Sequence, residues 1–241
     1  MKRLTYVFLA SMLFFSTEVF SQGVEINAGT ALNYLMSNQQ HIRGKPGLAA
    51  GARYCFTLND QFRLRVGLEY LQLGGGLMIL EDDTRFGLDF NDVAFPVKMR
   101  DAKVTLHTIN LPLIVNYRVY SSDNFSLSIG LGPEVSYLLN ASSKETVTGP
   151  VGSGIYATYS QTVNDTRNYE SFNYAASGNL RLDIPSGQNN LFLECRYRYG
   201  FNPVRKGYSY LDIAEVQSDI YQASFIISLG YTINFSTSNN E

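Results

Sequence analysis

The sequence predicts an all-β fold, an eight-stranded antiparallel up-and-down transmembrane β-barrel. Three observations carry this. Eight segments alternate apolar and polar residues with a period of two, as strands do when their faces meet different surroundings. The connections between them alternate between short and long. Every lysine (Lys2, Lys45, Lys98, Lys103, Lys144, Lys206) falls outside the segments, while arginines and carboxylates recur inside them, opposite the apolar face.

The chain has 241 residues. It opens "MKRLTYVFLASMLFFSTEVFSQG", with a charged start, a short apolar run from Leu4 to Phe15, and Val19, Phe20 and Ser21 as a cleavage-like end. That is the layout of a secretory signal peptide, expected over residues 1–21, and the run is too short to span a membrane as a helix. The barrel domain is expected over 22–235, followed by a polar tail, 236–241.

The eight segments follow in order. "VEINAGTALNYLM" (24–36) sets Val24, Ile26, Leu32 and Tyr34 against Glu25, Asn27 and Asn33. "LAAGARYCFTL" (48–58) sets Leu48, Tyr54 and Phe56 against Arg53, Cys55 and Thr57. "FRLRVGLEYLQL" (62–73) sets Phe62, Leu64, Val66, Leu68 and Tyr70 against Arg63, Arg65 and Glu69. "LHTINLPLIVNYRVY" (106–120) sets Leu111, Leu113, Val115 and Tyr117 against Asn110, Asn116 and Arg118. "FSLSIGLGPEVSYLL" (125–139) sets Ile129, Leu131, Val135 and Tyr137 against Ser128, Glu134 and Ser136. "FNYAASGNLRLDI" (172–184) sets Tyr174, Leu180 and Leu182 against Asn179, Arg181 and Asp183. "LFLECRYRYGF" (191–201) sets Leu193, Cys195, Tyr197 and Tyr199 against Glu194, Arg196 and Arg198. "YQASFIISLGYTINF" (221–235) sets Phe225, Ile227, Leu229 and Phe235 against Ser224, Ser228 and Thr232. Cys55 and Cys195 lie on opposite faces, which argues against a disulfide.

The turns "NDQ", "SSDN" and "PSGQNN" are short and rich in turn formers. The other connections are long, about 37–47, 74–103, 140–171 and 202–220. Short turns at one end and long loops at the other match an outer-membrane barrel, and the segments exceed the roughly 9–11 residues a tilted strand needs to cross. A soluble lipocalin-like barrel would turn its charges outward. The absence of lysine from the strands and the aromatics at their ends (Tyr34, Phe62, Tyr117, Phe125, Phe172, Phe235) favour the membrane form.

Without Lys2, Arg3 and Glu18, the 19 basic and 21 acidic residues become 17 and 20, a net charge of −3. That balance excludes a strongly basic nucleic-acid binder.

"INLPLIVNYR" (109–118) followed by "GLGPEVSYLL" (130–139) resembles the PorT-like outer-membrane β-barrel family of Gram-negative bacteria, and "RYRYGF" (196–201) and "FIISLGYTINF" (225–235) fit the same pattern. The resemblance implies a barrel in the bacterial outer membrane and no single shared activity. One named member of the family serves protein secretion, and no residues here carry that role over. The tail "STSNNE" after Phe235 departs from barrels that end on the terminal aromatic.

Parity points Arg53, Arg63, Arg65, Arg118, Arg181, Arg196 and Arg198 into the lumen with Glu25, Glu69, Glu134, Asp183 and Glu194. An eight-stranded barrel has room for side chains but not for an aqueous channel, so a mutually paired ionic core is expected. The seven-to-five surplus leaves a small anion-preferring pore as an alternative.

A hydrolase on the outer rim is a weaker alternative. The only histidines are His41 and His107, with Asp82 and Asp83 as possible partners, against the simpler reading of an interfacial His107 and a solvated loop. "EDD" and "LDFND" carry oxygen ligands but no EF-hand spacing, so no metal site and no cofactor is expected. Lys98, Arg100 and Lys103 flank the expected outer leaflet and are candidate contacts to lipopolysaccharide phosphates.

Two loops stand out. In the third, "ETVT" and "IYATYSQTV" around "GPVGSG" read as a hairpin. The second holds "LMIL" and is too apolar for a bare linker, so these loops are where an envelope partner is expected to bind. Finally, Pro112 interrupts a strand of a closed sheet, which has no free edge to hold a proline. A bulge is expected where it meets Gly132 and Pro133. The function expected overall is a non-catalytic membrane protein acting through external loops or envelope partners, in a binding, structural or secretion-accessory role.

Overall fold

The computed structural model describes residues 22–36, 41–90, 93–152, 155–164, 166–209 and 217–235, with the side chains of 77–101 and of some shorter stretches outside the description. The expected signal peptide and polar tail also lie outside it.

The alternating segments form β1 (Gln22–Met36), β2 (His41–Arg43), β3 (Lys45–Thr57), β4 (Phe62–Phe90), β5 (Val93–Ser121), β6 (Ser126–Gly152), β7 (Ile155–Asn164), β8 (Phe172–Ser186), β9 (Asn189–Gly200), β10 (Arg205–Ser209) and β11 (Gln217–Phe235). Eight of them pair antiparallel in the order β1-β3-β4-β5-β6-β8-β9-β11. The ring closes through β1 and β11, with Gln22 opposite Phe235 and Met36 opposite Tyr221. Closure leaves no edge within the bilayer, where unpaired backbone groups would cost several kcal/mol each.

The short turns are built by local chemistry. Asn59 Oδ1 accepts the backbone N–H groups of Gln61 and Phe62 at 2.9 and 2.8 Å. Ser122 N–H donates to Phe125 O at 2.9 Å. Gly187 takes a φ of 66° in the two-residue loop between Ser186 and Asn189, a left-handed conformation that glycine adopts without a steric penalty.

The long connections differ from the expected loops. β4 and β5 continue to Phe90 and back from Val93, and their register runs unshifted from Leu71–Thr108 to Leu80–Met99. The hairpin expected in the third connection pairs β6 with β7, Thr146 facing Ser160. In the first and fourth connections, β2 pairs β4 and β10 pairs β11. Past the lipid, each strand still has backbone donors and acceptors to satisfy, and its neighbour supplies them.

The bulge expected at Pro112 does not form. Pro112 faces Glu134 and Val115 faces Leu131, so the register passes through unchanged, with only the pairs between them missing. A Cβ on Gly132 would lie 1.9 Å from Leu113 O, so the two chains approach too closely there for any side chain. Pro112 and Pro133 each lack an N–H, which accounts for a gap in the ladder without an inserted residue. The β5–β6 register shifts lie instead between His107 and Thr108 and between Arg118 and Tyr120. The first of these reverses the parity of β6, so that Leu138 and Ala141 both point inward and are buried.

The outward face is a band of exposed apolar side chains such as Ile26, Leu68, Leu113, Leu131, Leu180 and Leu229. Aromatics border it. Phe62 stacks near Tyr117 at the short-turn end, and Tyr137 near Phe172 at the other, each pair with centroids 5.2 Å apart.

Candidate functional site

The same period of two sends the charged residues into the lumen, where they are buried. Ten of them form one chain of alternating sign. Asp183 meets Arg181 at 2.7 Å, Arg181 meets Glu25 at 2.8 Å, Glu25 meets Arg65 at 3.5 Å, and Arg65 meets Glu194 at 2.6 Å. Glu194 meets Arg53 at 2.9 Å, Arg53 meets Glu69, Glu69 meets Arg196 at 2.5 Å, Arg196 meets Glu134 at 3.3 Å, and Glu134 meets Arg198 at 3.2 Å. Five arginines therefore face five carboxylates, and the chain is neutral. Desolvating charge is expensive, and such a cluster is tolerable only when pairing and hydrogen bonding are nearly complete.

Amides and hydroxyls take up many of the remaining valences, while Arg196 Nε is buried without an acceptor. Asn116 Oδ1 accepts from Arg65 Nε and Nη2 at 2.9 and 2.6 Å. Asn179 Nδ2 donates to Glu194 at 3.0 Å and Asn110 Nδ2 to Glu134 at 2.8 Å. Arg198 Nη2 donates to Ser136 Oγ and Asn173 Oδ1 at 2.8 and 2.7 Å. Gly130 leaves space for two of these amides, since a Cβ there would lie 2.3 Å from Asn179 Oδ1 and 2.7 Å from Asn116 Nδ2.

Above this chain, towards the long-connection end, the lumen changes character. Leu35, Leu71, Leu73, Val104, Leu106, Leu138 and Ile220 are buried there in one apolar cluster, with Tyr169 and Val204 from the connections among them. Asn202 fastens this cap. Its Oδ1 accepts from Tyr174 N–H at 2.7 Å and from Asn173 Nδ2 at 3.0 Å, and its Nδ2 donates to Phe172 O at 2.9 Å. Glu170 N–H donates to Val204 O at 2.8 Å and Val204 N–H to Ile220 O at 2.7 Å.

Parity placed the charged residues, and the structure brings ten of the twelve inward charges into the one chain. Arg63 and Arg118 stay apart, half-buried at the short-turn mouth. The apolar cap lies outside the sequence expectation, although its signal is present: Leu35, Leu71, Leu73 and Leu106 share the parity of the charged residues. For the buried asparagines, parity gives only a polar face, and their role as partners depends on which strands meet.

On the outer wall, Tyr70 Oη and His107 Nδ1 lie 2.6 Å apart. Asp82, Asp83, Lys98 and Arg100 lie outside the described side chains. Lys103 is exposed and sits opposite Lys144. Among the described residues, no group of three or more His, Cys, Asp or Glu is placed to hold a metal ion. Cys55 is buried on the lumen face, and Cys195 lies on the other face.

A family model described as the outer membrane protein beta-barrel domain matches residues 8–206. Three solved structures are similar in fold. The attachment invasion locus protein Ail of Yersinia pestis is 13% identical, covering 88% of this chain and 99% of that one, with a TM-score of 0.39. Neisserial surface protein A is 13% identical, covering 88% and 97%, with a TM-score of 0.42. The outer membrane protease OmpT from Escherichia coli is 12% identical, covering 91% and 99%, with a TM-score of 0.44. No curated protein matches the chain.

Proposed function

Because this chain belongs to the outer membrane protein beta-barrel domain family and sits in the bacterial outer membrane, we propose that it is a closed, non-catalytic barrel that works through its external strands. One observation carries this. The lumen is filled by a neutral ionic chain and then by an apolar cap, while β4, β5, β6 and β7 continue outward beyond the lipid-facing band. A filled lumen offers a solute no path, and an external sheet offers a partner a surface. The PorT-like resemblance supports the same reading, with a secretion-accessory role as one form of it. Lys103, together with Lys98 and Arg100, is proposed to meet lipopolysaccharide phosphates at the outer leaflet.

The test pairs two measurements on the full mature protein. In planar bilayers it is expected to give no ohmic steps, and stable anion-selective steps would replace this proposal with a pore. A photo-crosslinker at Tyr159, exposed on β7, is expected to capture an envelope component in intact outer membranes. A broad esterase and protease screen showing turnover that disappears in His107→Ala would replace the proposal with a rim hydrolase.

A further inference from the structure

The surplus of arginine in the lumen is not spread through it. The five arginines of the ionic chain are matched by five carboxylates, so the two excess positive charges are Arg63 and Arg118, and both stand at the short-turn mouth. Arg63 is the second residue of β4, opposite Asn116, and Arg118 is two residues further along β5. Such diagonal neighbours on adjacent strands have Cα atoms roughly 7–8 Å apart, within reach of one another for long side chains. With short turns on the periplasmic side, as is usual for these barrels, this mouth opens to the periplasm.

Neither arginine has an acidic partner among the described residues, and Arg63 Nε is buried without an acceptor. Asp183 is the carboxylate near this mouth, and Arg181 stands beside it. Asp183 Oδ1 already accepts from Arg181 Nε and Nη2 at 2.9 and 2.7 Å. Asn116 Oδ1, which faces Arg63 across the ladder, is taken by Arg65. The mouth therefore holds two neighbouring arginines with no ion-pair partner of their own, since the nearby Asp183 is engaged by Arg181, beside a lumen whose other charges are balanced.

We propose that Arg63 and Arg118 form an anion-binding site at the periplasmic mouth, taking one carboxylate or phosphate group between them. Two guanidinium forks suit such a group geometrically, since each can offer paired N–H donors to two oxygens. Lipid head groups are poor candidates because both side chains lie on the lumen parity. Two sources share the required chemistry: a free periplasmic anion, and the side-chain carboxylate of Glu241 in the segment that follows Phe235.

The experiment uses the mature chain in detergent micelles, with inorganic phosphate as the probe at constant ionic strength, read by ¹H–¹⁵N spectra of the arginine Nε–H groups. Saturable shifts confined to the Arg63 and Arg118 signals are expected. Arg63→Gln and Arg118→Gln should each weaken the affinity by about tenfold, with heat-modifiable gel migration showing that both variants remain folded. Shifts that fail to saturate, or that survive in the double variant, would overturn the site. A second arm removes residues 236–241. Binding at least about tenfold tighter in the shortened chain assigns the site to the Glu241 carboxylate, and equal affinity assigns it to a free anion. No saturable binding in either chain would also overturn it.

Discussion

Arg53 and Glu194 are 141 residues apart in sequence and meet fork to fork, Nη1 to Oε2 at 3.0 Å and Nη2 to Oε1 at 2.9 Å. The contact ties β3 to β9 across the lumen. Glu194 also accepts from Arg65 and Asn179, so one carboxylate on β9 gathers groups from three other strands. Arg53 turns its Nε to Glu69 at 2.7 Å and so links that cluster to Arg196. The ten-residue chain is a connected network in which each charge has at least one opposite neighbour.

Removing one member should therefore cost more than a surface pair would. Glu194→Gln leaves Arg53 and Arg65 short of charge, and a loss of about 3–5 kcal/mol in unfolding free energy is expected. The double variant Arg53→Met with Glu194→Leu should lose clearly less than the sum of its single changes, because no unpaired guanidinium remains at Arg53, while Arg65 keeps Glu25. Urea unfolding in lipid vesicles measures both.

Much of this network was legible in the sequence, and the reason is geometric. In a strand, residue parity fixes the face, so Arg53, Arg65, Arg196 and Glu194 could be placed in the lumen from their numbers alone. Parity does not say which strands stand opposite each other. The pairing of Arg53 with Glu194 depends on strand order and tilt, and neither is local. Leu71 and Leu73 were legible in principle, since they continue the parity of Arg65 and Glu69. They looked like ordinary strand residues because an apolar side chain on a strand is usually read as lipid-facing. The shift between His107 and Thr108 was illegible, because an inserted residue changes the parity of everything after it without a mark of its own.

Pro112 and Gly132 separate two explanations of the broken ladder. The prolines account for the missing hydrogen bonds, while the close approach of Gly132 to Leu113 O sets how near the two chains lie, so Gly132→Ala should cost more than about 3 kcal/mol or prevent folding. Pro112→Ala removes no hydrogen bond and should shift stability by less than about 1 kcal/mol. A larger loss from Pro112→Ala than from Gly132→Ala would show that the proline, and not the glycine, shapes this crossing. Refolding yield by gel migration and the urea midpoint provide the comparison.

Asn202 fixes the external cap through contacts to Asn173, Tyr174 and Phe172. Asn202→Ala should reduce stability by about 1–3 kcal/mol, since it leaves the Tyr174 N–H and Phe172 O without their partner. Its effect should be local. Faster hydrogen exchange is expected at the amides of Glu170, Tyr174 and Val204, with no change at the amides of β1 and β3 near Arg53. Uniformly faster exchange would mean that the cap is not an independent unit.

Lys103 and Lys144 face each other across β5 and β6, both exposed. Like charges directly opposite in a sheet are destabilising unless a counter-charge lies between them. Lys45 adds to the positive field: its Nζ donates to Val104 O at 3.0 Å, and the charge of Lys103 acts on it. This patch stands just beyond Tyr70 and His107 on the outer wall, at the level where lipid A phosphates lie if the short turns are periplasmic. If those phosphates are the counter-charge, Lys103→Gln with Lys144→Gln should have opposite effects in two settings. In detergent without lipopolysaccharide, the double variant should be as stable as the parent or up to about 1 kcal/mol more stable, because the repulsion is gone. In outer-membrane extracts it should retain several-fold less lipopolysaccharide, as the loss of two phosphate contacts would cause. Unchanged retention, measured as phosphate per barrel after purification, would remove the lipopolysaccharide contact from the proposed function and leave the external strands as its remaining basis.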